Sequence, residues 1–122
     1  MRPRPIAALV LAATLAGCSS AATAPPSIPA DAIHMSSQNL QFSTSELQVP
    51  AGKPFTIVLD ILESASHNVE IYRDNTWSSL MYKEAPRAGP GTFLFNVPAL
   101  GTGTYAFRCE VHPNMTGTVT AG

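Results

Sequence analysis

Thr104-Tyr105-Ala106-Phe107-Arg108-Cys109-Glu110-Val111-His112-Pro113-Asn114-Met115 is the stretch on which the chain turns. Its first half reads as a β-strand. Side chains two apart share a strand face, so Tyr105, Phe107 and Cys109 point one way, into a core, while Thr104, Ala106 and Arg108 point the other. Its second half places a thiol, an imidazole and a thioether in one tight loop at spacing C-x2-H-x2-M, and these are donor types that copper selects. Taken singly, each residue has an ordinary explanation. A lone inward Cys is usually a small core hydrophobe and a Met is usually core filler. Together in one loop they point to a metal centre.

Working outward, the sequence before this stretch is a series of short β-runs punctuated by Gly and Pro. Leu40 and Phe42 alternate with polar neighbours, and Leu47 and Val49 lead into the turn Pro50-Ala51-Gly52-Lys53-Pro54. Phe55 to Leu62 is the strongest strand, with Phe55, Ile57, Leu59 and Ile61 on one face. His67 to Ile71 alternates, which puts His67 on the inward face of Val69 and Ile71. Asp74 to Gly91 has no clear period, and a short helix is predicted around Ser78 to Tyr82. Thr92 to Val97 turns Phe93, Phe95 and Val97 inward, and Met115 to Thr120 closes the sheet. This is the pattern of an all-β sandwich of about seven to eight strands. His67 opens its strand and Cys109 closes its own, so antiparallel strands would bring the two together, beside His112 and Met115. Two imidazoles, a thiolate and a weak thioether form the ligand set of a blue-copper site. A metal at Cys109 would hold it as the thiolate.

The N-terminus follows different rules. Arg2 and Arg4 precede an apolar run, Ile6 to Ala16, of 11 residues, shorter than the roughly 20 needed to span a bilayer. Leu15-Ala16-Gly17-Cys18 ends it, in the manner of an export signal. Leu-Ala-Gly-Cys resembles the bacterial lipobox, which implies cleavage before Cys18 and a lipid on that cysteine. Residues 1–17 are then a signal peptide and residues 18–35 a lipidated N-terminus and linker, rich in Ala, Ser, Thr and Pro. The core of that linker, about 14 residues, reaches from roughly 20 Å as a coil to 45 Å extended. Residues 36–122 form the domain. A lipid on Cys18 leaves Cys109 without a disulfide partner. Loss of Arg2 and Arg4 leaves 5 Lys and Arg against 8 Asp and Glu, a net of −3. That mildly acidic balance argues against nucleic acid as a partner.

The segment Thr104 to Val119, with His67-Asn68-Val69 upstream and Val49-Pro50-Ala51-Gly52 before the long strand, resembles the cupredoxins, specifically the plastocyanin-like and amicyanin-like proteins. The similarity covers about residues 36 to 121, and the loop spacing is similar to that of amicyanin. The resemblance implies a Greek-key β-sandwich holding one Cu(I)/Cu(II) ion by His67, Cys109, His112 and the axial Met115. It implies that Asn68 ties the two ligand-bearing segments together, and that His112 is the electron port. Redox proteins would dock near His112, flanked by Pro113; Met81 or Trp77 could add to that patch, but ordinary packing under a loop is the better reading of both. Pro113 lacks an N–H and fixes its own φ, which stiffens the loop and withholds one hydrogen bond. Glu63 to Ser66 and Trp77 to Tyr82 match neither protein closely, so docking features do not carry over. His34 is expected to be a bystander.

The expected function is a lipid-anchored, monomeric, extracytoplasmic carrier of single electrons, facing the periplasm or cell exterior and held to the membrane through Cys18. The alternative is a copper-binding or copper-delivery protein in which redox cycling is incidental. A metal-free adhesion sandwich fits poorly with a complete ligand set. Enzymes fare worse: a binuclear copper centre needs two loop cysteines, and a multicopper oxidase needs more than three histidines. With zinc, Met115 would be a poor fourth ligand.

Overall fold

A computed structural model of the chain describes Gly17 and residues 27–122. Cys18, the expected lipidation site, lies outside the described residues, as do residues 1–16 of the expected signal peptide. The regular structure among the described residues is all β: β1 (Ile33–Gln38), β2 (Gln41–Phe42), β3 (Glu46–Val49), β4 (Phe55–Ile61), β5 (Ser66–His67), β6 (Glu70–Tyr72), β7 (Leu80–Tyr82), β8 (Arg87–Ala88), β9 (Gly91–Val97), β10 (Gly103–Arg108) and β11 (Thr116–Ala121). Eleven short strands stand among the described residues against the seven to eight expected: β1 begins in the expected linker, β7 and β8 lie in the stretch without period, and the run at His67 is split into β5 and β6. The domain also starts earlier than residue 36: Ile33 to Ser37 already pair with Ile57 to Ile61 of β4, in parallel.

Two layers make the sandwich. One is a four-stranded sheet in the order β2-β1-β4-β9, the other a five-stranded sheet in the order β3-β11-β10-β6-β7, and β5 and β8 form a small separate pair. The apolar alternation decides what lies between the layers. Ile57, Leu59 and Ile61 of β4 with Phe95 and Val97 of β9 face Tyr105 and Phe107 of β10, Val119 and Ala121 of β11, and Ile71 of β6 in one core cluster. Burying each large side chain stabilises the fold by about 1.5–3 kcal/mol.

The helix predicted around Ser78 to Tyr82 is an edge strand instead, for a local reason. Asp74 Oδ1 accepts from the Thr76 N–H at 2.9 Å and the Thr76 hydroxyl at 2.5 Å, and the Trp77 N–H reaches the Asp74 carbonyl at 3.3 Å. Trp77 then takes a left-handed φ of 59°, which no helix accommodates. The Arg73 N–H to Ser79 carbonyl bond, 2.8 Å, returns the chain as β7 beside β6.

Gly117 is the closest point of packing near the ligand loop. A Cβ there would collide with the Phe107 ring and the Ser45 carbonyl, and Phe107 is fully buried against Phe42 with 5.6 Å between ring centroids. Gly117→Ala should therefore lower unfolding stability by about 1–3 kcal/mol, the cost of overpacking, as read by denaturant titration. The Asp74 turn gives a pH signal. Hydrogen bonds from the Thr76 hydroxyl and N–H hold the Asp74 carboxyl below its ordinary 3.8. A depressed folded value means a contribution present in full above the unfolded value and lost as pH falls through the folded one. Trp77 is the single tryptophan, so its fluorescence should hold steady down to about pH 4 and change only below it; Asp74→Ala should show the acid-form emission already at neutral pH.

Candidate metal centre

Pairing on both sides sets the length of the ligand loop. Arg108 lies opposite Thr116 in the antiparallel β10–β11 ladder, so residues 109–115 are the connection between those strands. The loop closes on itself, with the Cys109 N–H donating to the Met115 carbonyl at 3.0 Å and the Met115 N–H to the His112 carbonyl at 2.9 Å. His112 is folded back so that its Nδ1 stands 3.9 Å from Cys109 Sγ. Cys109 is fully buried, Met115 is 3% exposed, and His112 is partly exposed.

The distant ligand arrives through β6. Arg108 faces Glu70 across the antiparallel β10–β6 ladder, and the same direction of travel brings the residues before Glu70 alongside those after Arg108. His67 is fully buried, with Nδ1 3.9 Å from Cys109 Sγ. The two imidazoles lie with centroids 4.9 Å apart and planes tilted by 42°. One donor atom from each of His67, Cys109 and His112 falls within 4.8 Å of the others.

The segment carrying His67 is not the single alternating strand expected from His67 to Ile71. His67 pairs with Arg87 of β8, the chain leaves the ladder at Asn68 and Val69, and every residue from His67 to Tyr72 is buried, polar ones included. The buried polar side chains of this segment have partners. Asn68 Oδ1 accepts from the Glu110 N–H at 2.7 Å, and its amide donates to the Glu84 carbonyl at 2.8 Å and to Glu110 Oε2 at 3.3 Å. Glu70, 2% exposed, receives Arg108 Nε at 3.2 Å, the Tyr72 hydroxyl at 3.0 Å and Lys83 Nζ at 3.5 Å. Arg108 in turn sits 4.8 Å from the ring centroids of both Tyr72 and Trp77. Trp77 therefore packs on Tyr72 and Arg108. Met81 is on the edge strand β7 and 40% exposed. His34 is an exposed residue of β1 and is not part of the donor group.

One residue escaped the sequence reading. Glu63 Oε1 lies 2.8 Å from His67 Nε2. Burial acts to raise the Glu63 pKa, but the N–H groups of Leu40 and Asn39 and the His67 ring outweigh it and hold the carboxyl below its usual range. The spacing of four between Glu63 and His67 carries meaning in a helix; in an irregular segment it gave no signal.

A thiol and two imidazoles converging in a buried place, with a thioether held in the same loop, fit a copper ion. The comparisons with known proteins agree in fold. The cupredoxin-like domain family matches residues 5–121, and the chain belongs to that family. No curated protein matches it. Among solved structures it is similar to auracyanin A of Chloroflexus aurantiacus, a "blue" copper protein, at 19% identity with a TM-score of 0.64, over 75% of this chain and 98% of that one. It is similar also to auracyanin of Roseiflexus castenholzii, at 20% identity with a TM-score of 0.62, over 75% and 96%. Amicyanin of Paracoccus versutus matches at 22% identity with a TM-score of 0.59, over 78% and 85%.

Asn68 is the joint between the two ligand-bearing segments. Asn68→Ala would leave the Glu110 N–H and the Glu84 carbonyl without their partner, at about 1–3 kcal/mol for each group that stays buried. The expected result is a large loss of stability in the metal-free protein, measured by denaturant unfolding.

Proposed function

We propose that this chain is a lipid-anchored mononuclear type 1 copper protein that carries single electrons between extracytoplasmic redox partners. The observation that carries the proposal is the donor group: Cys109 Sγ with the Nδ1 atoms of His67 and His112 each 3.9 Å away, in a chain of the cupredoxin-like family. A copper ion bound there would supply reversible one-electron chemistry between Cu(I) and Cu(II). The residues supply the rest. Cys109 and Met115 are soft donors that favour Cu(I), while the imidazoles of His67 and His112 serve both states. The β10–β11 ladder and the closed loop hold Cys109, His112 and Met115, while the β5–β8 pair and the Asn68–Glu110 bond hold the segment of His67, so little has to move when the charge changes.

Burial favours a carrier over a delivery protein. Cys109 and His67 are fully buried and Met115 is 3% exposed, while His112 alone of the four is partly open to solvent. That arrangement suits an electron leaving through the edge of His112 more than an ion being handed over. Val111 beside it is 46% exposed and apolar, which suits a short-lived contact with a redox partner. Lipid on Cys18 would keep the domain at a membrane surface, facing the periplasm or cell exterior. No enzyme activity is proposed.

The copper-loaded protein should show an intense visible thiolate-to-Cu(II) band and a narrow copper hyperfine splitting in EPR. Cys109→Ser should abolish the band while the β circular dichroism persists. Copper bound without either signature, or stripped by mild chelators, would favour the delivery function. The full-length protein expressed in a bacterium should fractionate with membranes, and Cys18→Ala should release it.

A further inference from the structure

We propose that Glu63 is a positioning residue of the metal centre: its carboxylate holds the Nε2–H of His67, turns Nδ1 towards Cys109, and makes the imidazole a stronger donor to the oxidised ion. A neutral imidazole carries one N–H and one lone pair, and an ionised carboxylate can only accept. With Glu63 Oε1 2.8 Å from Nε2, the proton belongs on Nε2 and the lone pair on Nδ1. The ring is fully buried, so water does not compete for Nε2.

The carboxylate is itself held from one further segment of the chain, and the backbone that carries it is packed by another. The Leu40 N–H donates to the same oxygen at 3.1 Å. Leu40 and the preceding Asn39 both adopt left-handed backbone, φ 56° and 53°, in the turn between β1 and β2. Such conformations are costly for residues other than glycine and persist where the surroundings enforce them. On the other side Gly89 approaches so closely that a Cβ would collide with Ile61 and the Glu63 carbonyl. The turn at residues 39–40 thus holds the carboxylate, Gly89 packs against the backbone that carries it, and the carboxylate touches His67 on the nitrogen turned away from Cys109.

A carboxylate on the distal nitrogen fixes the tautomer of a metal-bound histidine and raises its basicity. A more basic donor stabilises Cu(II) over Cu(I), so Glu63 should lower the reduction potential. This consequence rests on the copper function proposed above; the placement of the ring does not.

Two variants separate these effects. Glu63→Gln keeps an acceptor and removes the charge, and Glu63→Ala removes both. In nitrogen-15 NMR of the metal-free protein, the His67 Nε2–H should be protected from exchange in the wild type and in Glu63→Gln, and lost in Glu63→Ala. An unchanged, protected Nε2–H in folded Glu63→Ala would overturn the placement. In the copper-loaded protein, Glu63→Gln should weaken Cu(II) binding by about 10–100-fold. With Cu(I) binding unchanged, each tenfold raises the potential by about 59 mV. A potential equal to or below that of the wild type would overturn the electronic role. Failure of the wild type itself to load copper would sink the carrier function, and the nitrogen-15 result would still decide whether Glu63 sets the ring.

Discussion

The centre depends on the register between β6 and β10. Side chains alternate faces along a strand, so a slip by one residue would carry Cys109 from the core to the opposite face. Glu70 guards against that slip. It is 2% exposed and directly opposite Arg108, its ion-pair partner at 3.2 Å. Any other register would take Arg108 away from the buried Glu70 carboxylate and leave it only the more distant Lys83, 3.5 Å off, which is costly for a buried charge. The pair is thus better understood as a specificity device than as a source of net stability. Arg108 is further fixed between the Tyr72 and Trp77 rings, and the next residue in the chain is Cys109.

With register fixed, the ligand loop has little freedom. Its ends are paired as Arg108 and Thr116, its own backbone bonds join Cys109 to Met115 and Met115 to His112, and Asn68 reaches across to Glu110. Every one of these contacts is made by protein atoms alone. They leave the loop backbone few ways to move, which suits a site whose geometry has to serve two oxidation states. The same logic explains Gly117, which lets β11 leave the loop tightly against Phe107.

The sequence was most legible where one sheet face meets the core. Strand parity placed Phe107 and Cys109 inward, and both are fully buried. The same rule placed His67, Val69 and Ile71 inward, and all three are fully buried; it gave no sign that Asn68 and Glu70 between them are buried too, because alternation reports burial only where the other face meets water. Here the Asp74 turn lays Trp77 over Tyr72 and Arg108, and Glu84 and Glu110 cover Asn68, so polar residues are buried as well. A helix near Ser78 was a fair expectation for a segment without period, and Asp74 capturing Thr76 redirected it. Glu63 was invisible for a different reason. Its role comes from a loop conformation and from a turn at Asn39 and Leu40 far away in sequence, and neither leaves a periodic mark.

The surroundings of the four donors pull in opposite directions. Cys109 and Met115 favour the reduced ion, and so does burial in a mainly apolar core, which disfavours concentrated positive charge. Glu63 works against this. In the proposed centre a carboxylate on the far nitrogen of His67 would offset part of the charge that oxidation adds, acting through a buried ring while its own partly exposed side is screened by water. Glu70 and Glu110 exert no comparable effect, because Arg108 and Lys83 accompany them. Glu63 is paired only with His67 among the ion pairs of the described residues. On the reading proposed above, a carboxylate held at one side of the centre without a Lys or Arg partner would set the potential while leaving the soft ligands and the fold unchanged.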